Sequence, residues 1–179
     1  MLKRYLAVGA VMWCVGGACP AGQTTWDKNA KWLQQQVEAC QQGTGELACR
    51  SFVPRALNQL FGINEFCESE ACLQTHEVAS EVGKGGHWTS LGRASDQKAL
   101  TQAQEMATGG LPVIAVQAAA SQGLVAIIMP GGPFPSQRWS RNVPLAVGTR
   151  ADKPLDSVYG RSLSFLFSEP DKVTLYAYK

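Results

Sequence analysis

Cys49 stands in the stretch LACRSFVPRAL, and the residues after it recur at helical spacing: Phe52, Ala56, Leu57, Leu60 and Phe61 share one face. Pro54 is tolerated only in a first helical turn, so the regular helix is expected to begin near Ser51, with Cys49 at or just before its N-terminus. A thiol there lies beside the positive end of the helix dipole and beside unpaired N–H groups, which favour the thiolate. Given an imidazole base and a polar group to orient that base, such a thiolate performs acyl transfer. The same sulfur has a second use. Cys40 lies upstream, just before the helix-breaking stretch QGTGE, and a Cys40–Cys49 bridge would remove the nucleophile. Cys67 and Cys72, in CESEAC, frame a loop that a local disulfide would close. The sequence leaves both uses of Cys49 open.

The chain has two histidines to offer as a base. His87 sits in KGGHWTSLG, where Gly85 and Gly86 would let a loop swing it toward Cys49; as structure it is a surface histidine beside a packed Trp88. His76, in THEVASE, reads as a solvent-facing or capping residue of a short helix. Trp88 and Trp139 read as core or groove-lining residues, and Trp139 beside Gln137 and Arg138 suits a sugar face or a peptide carboxylate. There is no CxxC for zinc, no carboxylate pair spaced for glycosidase chemistry, and GGPFPSQ lacks the helix of a phosphate cradle. No metal or cofactor is expected.

These residues need elements to hold them. Trp26, Ala30, Leu33, Val37 and Cys40 predict a helix over 25–41; a short helix is expected around 73–82, and another from a Ser95 or Asp96 cap to about Ala107, stopped by a Gly-Gly pair. Beyond it the pattern turns to β. LPVIAVQA and GLVAIIM read as a hairpin, NVPLAVG as a strand, and LSFLFS and KVTLYAY as a second hairpin around EPD. Helices first and antiparallel strands second is an α+β layout with the helices packed on one sheet. The opening MLKRYLAVGAVMWCVGGACPAG has a basic start at Lys3 and Arg4, an apolar run to Val15 and small residues after it, the pattern of a secretory signal peptide over residues 1–21. VGGAC resembles a lipobox but carries Gly16 at a position where Leu or Val is usual, so lipidation at Cys19 is the weaker alternative. Residues 22–179 carry equal numbers of basic and acidic side chains and no charge run, which argues against nucleic acid and against a polybasic membrane surface. No further segment is apolar for long enough to span a bilayer.

Taken together, LACRSFVPRAL, GHWTSLGRASDQKALTQAQEMATGGLPVIAV, SQGLVAIIMPGG, SQRWSRNVP and the closing SLSFLFS and VTLYAY resemble the NlpC-type papain-like peptidoglycan amidases and endopeptidases over about residues 30–178. The resemblance implies a papain-like α+β domain over 22–179, with the cysteine helix packed against an antiparallel sheet. It implies Cys49 as nucleophile on an amide bond of cell-wall stem peptides. It places the histidine at Leu124, since the second strand of such enzymes reads Gly-His-Val-Ala, and the third polar residue in the following segment, with Ser136 or Gln137 as candidates. Leucine accepts no proton, and losing one member of such a unit costs orders of magnitude in rate. Two functional expectations follow. One is an exported hydrolase, periplasmic or secreted, acting on peptidoglycan or muropeptides with impaired catalysis and His87 as a substitute base. The other is a non-catalytic cell-wall-binding, regulatory or immunity-type protein that keeps the fold, with a protein partner among its options.

Overall fold

A computed structural model describes residues 21–44, 49–69, 71–118 and 123–179, with side chains from 25 onward. The expected signal peptide, apart from its last residue, and Cys19 with it, lies outside the described residues. Helix α1 (Ala21–Gln41) buries Trp26, Leu33, Val37 and Cys40 along one stripe. Helix α2 (Phe52–Phe61) buries Phe52, Val53, Ala56, Leu57 and Leu60. Pro54 lies in its first turn, where a missing N–H costs no helical bond. Gly62 ends it in the left-handed conformation, φ 69°, with its N–H on the Asn58 carbonyl and the Ile63 N–H on the Leu57 carbonyl.

The hairpin β1 (Cys67–Glu68) and β2 (Ala71–Cys72) follows, then α3 (Thr75–Val82), which starts with a capping box between Gln74 and Glu77. Strand β3 (Trp88–Arg93) leads to α4 (Gln97–Thr108), whose cap is Asp96, its carboxylate accepting from the Lys98 N–H at 2.8 Å. The remaining strands are β4 (Val113–Gln117), β5 (Leu124–Ile128), β6 (Phe134–Ser136), β7 (Arg141–Val143), β8 (Leu145–Gly148), β9 (Val158–Ser162) and β10 (Thr174–Tyr178). Six of them form one antiparallel sheet in the order β3-β10-β4-β5-β8-β9, and β6 pairs with β7 apart from it.

Strand alternation divides the core into two layers. Ile114, Val116, Val125, Ile127 and Val147 face α1, α2 and α3. Ala115, Ala126, Ile128, Ala146, Leu175 and Ala177 face α4 and the segment around Leu163, Leu166 and Phe167. The described chain is thus α+β with helices on both faces of an antiparallel sheet. The helices all pack on this one sheet, as expected: α1, α2 and α3 on one face and α4 on the other.

Three local expectations are corrected. The GHWTSLG segment is not all loop: from Trp88 it is an edge strand, because β10 supplies its hydrogen-bonding partner across Trp88–Arg93. LSFLFS is not a strand: Leu163–Phe165 is a 3-10 turn that sinks Leu163, Leu166 and Phe167 into the second layer. The closing strand therefore forms no hairpin with it and inserts between β3 and β4 instead. NVPLAVG divides into β7 and β8 at Pro144, which has no N–H to give a ladder.

Candidate functional site

Cys49 and Arg50 form a helical turn just ahead of Ser51 and α2, while Cys40 comes from the last turn of α1. Their sulfurs are bonded, with Cα atoms 5.0 Å apart. Cys40 is 0 % exposed and Cys49 6 %. A disulfide sulfur carries no proton, so the Ser157 hydroxyl is the donor in its 3.3 Å contact with Cys40 Sγ. Ser157 is held in turn by the Arg150 N–H on its Oγ at 3.0 Å and by Gln41 Nε2 on its carbonyl at 2.7 Å. The reading of Cys49 as an available nucleophile is corrected here: its sulfur is spent in the bridge, and only a thiolate attacks a carbonyl.

Two further bonds fix the turn that carries Cys49. Thr149 Oγ1 donates to the Cys49 carbonyl at 2.8 Å, and Thr75 Oγ1 donates to the Arg50 carbonyl at 3.0 Å. The end of β8 and the start of α3 are thereby drawn onto one spot. Between them opens a cleft of about 340 Å³, bordered by Cys49, Arg50, Gln74, Thr75, His76, Gly123, Leu124, Thr149, Ala151 and Asp152. Leu124 is half-buried and borders the cleft, but it packs with the α4 layer, on the side of Ala126 and Ile128. The position packed against α3 is the neighbouring Gly123, just ahead of β5. A Cβ there would lie 2.8 Å from the Ala79 Cβ and 3.2 Å from both the Cα and the carbonyl oxygen of His76. Glycine lets the first turn of α3 close onto β5, and this closure brings His76 to the cleft beside Cys49.

Asp152 also borders this cleft. Arg150 Nη2 donates to Asp152 Oδ2 at 2.6 Å and Nε to Oδ1 at 3.2 Å. This fork holds the Asp152 carboxyl below the usual carboxylate range, and the carboxylate in turn raises the Arg150 guanidinium. The cleft therefore keeps a fixed anion at one rim.

The other nominated residues are elsewhere. His87 does not approach Cys49: its Nδ1 lies 3.1 Å from Glu65 Oε2 and 3.4 Å from the Tyr178 hydroxyl. Trp88 is buried, stacks on Phe66 at 6.1 Å between ring centroids, and donates its indole N–H to Glu65. Both belong to a second cleft of about 610 Å³, walled by the β1–β2 hairpin with its Cys67–Cys72 disulfide and by Glu77 and Glu81 of α3. Trp139 is 4 % exposed and packs in the α4 layer, so it offers no face to a sugar ring. Ser136 is buried; its Oγ donates to Ser164 Oγ at 2.8 Å and accepts the Trp139 N–H at 3.2 Å, a structural role away from Cys49. The sequence read His76 as a solvent-facing helix residue, and it is exposed, but its place at this cleft, with Gly123, Thr149 and Asp152, was not legible. No local motif marks them, because the cleft forms from four segments far apart in the chain. Among the described residues no group of three or more histidines, cysteines and carboxylates is placed to hold a metal. No protein-family model matches the chain, and no curated protein matches its sequence.

Proposed function

We propose that this protein is an exported, papain-like homologue of the NlpC-type peptidoglycan amidases and endopeptidases that holds stem peptides in the Cys49 cleft without cutting them while the Cys40–Cys49 bridge is intact. The bridge carries this reading: the sulfur that would attack is covalently occupied. The arrangement of a cysteine turn entering α2, with the helix packed on an antiparallel sheet and the start of β5 at the same cleft, supports the relationship. Two disulfides support passage through an oxidising compartment. Arg50 and Asp152 both border this cleft, so charge of each sign lies where a stem peptide, with its carboxylates and amines, would lie.

The test is co-sedimentation. The protein is purified without reductant and mixed with washed peptidoglycan sacculi, and the supernatant is searched for released muropeptides by mass spectrometry. The expected result is protein in the pellet, no released fragments, and weakened pelleting for Arg50→Glu. Absence of binding, or fragments that disappear in Cys49→Ala, would overturn the proposal.

A further inference from the structure

The second cleft is walled on one side by a hairpin too short to hold itself closed. Strands β1 and β2 pair over two residues each, Cys67 opposite Cys72 and Glu68 opposite Ala71. So short a ladder is not stable by itself in water. At the tip Ser69 takes a left-handed conformation, φ 55°, which residues other than glycine adopt rarely. The hairpin is rooted at both ends. Phe66 is buried and stacked on Trp88, Leu73 packs against the first core layer, and the Leu73 N–H donates to the Phe66 carbonyl at 2.9 Å. Beyond these roots, each described hairpin residue is exposed or half-exposed, and the Cys67–Cys72 bridge ties the two strands.

Charge supplies no second tie. The segment CESEAC has no basic side chain. Glu68 of the hairpin borders the same cleft as Glu77 and Glu81 of α3, so hairpin and helix bring carboxylates of like sign to it. The nearby basic groups are engaged elsewhere: Lys84 pairs with Glu81 at 2.6 Å, and His87 Nδ1 lies 3.1 Å from Glu65. We infer that this hairpin is a redox-operated lid on the second cleft: the Cys67–Cys72 disulfide keeps it closed over the Phe66–Trp88 floor, and reduction by a dithiol releases it while the Cys40–Cys49 bridge stays intact. The lid does not depend on the stem-peptide reading of the Cys49 cleft.

The selectivity follows from access. Cys67 and Cys72 are both half-exposed, whereas Cys40 is 0 % exposed and Cys49 6 %. A thiolate of the dithiol attacks one sulfur of the surface bridge; the S–S bond breaks, and the other cysteine leaves as thiolate and takes up a proton. The second thiol of the reductant then attacks the mixed disulfide at the reductant's own sulfur. This frees the remaining cysteine as a thiol and leaves the reductant as a cyclic disulfide. Two electrons and two protons have moved from reductant to protein. The tip is then held by its short ladder alone, and Ser69 is free to leave the left-handed region. Phe66 and Leu73 stay packed, so they act as hinges and the rest of the fold keeps its core. Oxidation by a small disulfide runs the same exchange backwards and closes the lid.

The experiment is graded reduction of the full chain with dithiothreitol, with free thiols trapped by iodoacetamide and assigned by peptide mass mapping. Three readings are taken at each stage: circular dichroism, hydrogen exchange of peptides covering residues 67–72, and acrylamide quenching of Trp88. The Trp88 signal is taken as the difference from Trp88→Phe treated in the same way. A stage is expected at which Cys67 and Cys72 are labelled, Cys40 and Cys49 are not, and the circular dichroism is unchanged. There the hairpin amides should exchange roughly tenfold faster and Trp88 should be quenched more strongly, as expected for local opening. Untrapped protein returned to oxidised glutathione should regain the slow exchange. Cys67→Ser/Cys72→Ser should show the open behaviour without reductant; if that variant does not fold, the reduced natural protein is read alone. Unchanged exchange and quenching at that stage would overturn the inference. So would opening of both bridges together, or loss of the folded circular dichroism signal when only the surface bridge is cut, since the bridge would then staple the whole fold rather than a lid.

Discussion

Two clefts among the described residues each pair a disulfide with a histidine, and they differ in what surrounds the sulfur. At the Cys49 cleft the bridge joins the end of α1 to the turn before α2 and lies in the interior, with Ser157, Thr149 and Thr75 bonded around it. At the second cleft the Cys67–Cys72 bridge clips a two-residue-strand hairpin at the surface, and both cysteines are half-exposed. The histidines differ too. His87 is seated on Tyr178, with ring centroids 5.3 Å apart, and bonded to Glu65, which also receives the buried indole of Trp88. His76 stands at a helix start that glycine allows to lie against β5. One cleft is an assembly of distant segments around a sulfur; the other closes a hairpin over an aromatic floor.

Removing each bridge should separate them most. Cys40→Ala/Cys49→Ala should lose about 2–4 kcal/mol of unfolding free energy, because it opens a covalent loop and also removes packing around a fully buried side chain. Cys67→Ala/Cys72→Ala should lose about 2 kcal/mol or less, since its loop is shorter and its surroundings are wetter. Urea unfolding of both variants without reductant measures the two losses. Equal losses would break the contrast. Timed reduction of the natural protein sharpens it: the surface bridge should open first, since the interior one yields to a reductant only at the rate its cleft admits it.

Single substitutions probe what holds each cleft. Glu65→Ala leaves the Trp88 indole N–H buried without its acceptor and frees His87, and should cost about 1–3 kcal/mol. Gly123→Ala places a methyl 2.8 Å from the Ala79 Cβ and should cost about 1–3 kcal/mol by pushing α3 off β5. Thermal melts measure both.

Periodic segments were legible in the sequence, and sites assembled at long range were not. The α1 and α2 stripes, the Asp96 cap and the β4–β5 pairing all follow from local patterns. The Cys40–Cys49 bridge was one of two uses that spacing left open, and no local rule decides between them. Trp88–Arg93 was unreadable as a strand because its partner, β10, lies at the other end of the chain. Leu124 illustrates the site. Its position on the cleft border follows from the β5 register, yet alternation turns its side chain to the α4 layer, and the residue aimed at α3 is a glycine that makes room for His76. A helix-borne histidine closing on a distant strand leaves no periodic trace.

The smallest expected effect tests the anion at the Cys49 cleft. Asp152 titrates below the usual carboxylate range, first because Arg150 hydrogen-bonds it, and burial opposes this only in part. A carboxyl whose folded pKa is depressed adds stability that is fully present above its unfolded pKa of about 3.9 and is lost as pH falls through the lower folded value. The pair is partly solvent-exposed, so its contribution at neutral pH should be within about 1 kcal/mol. Asp152→Asn should therefore approach the natural protein toward the acid limit, as the carboxyl takes up its proton, and fall below it as pH rises past the lowered folded value. Unfolding free energies from urea titrations at pH 2 to 7 give the two curves. Parallel curves would mean that the Arg150 fork is no stronger in the folded protein than in the unfolded chain, and the Asp152 rim would then distinguish the Cys49 cleft from the second cleft by position alone.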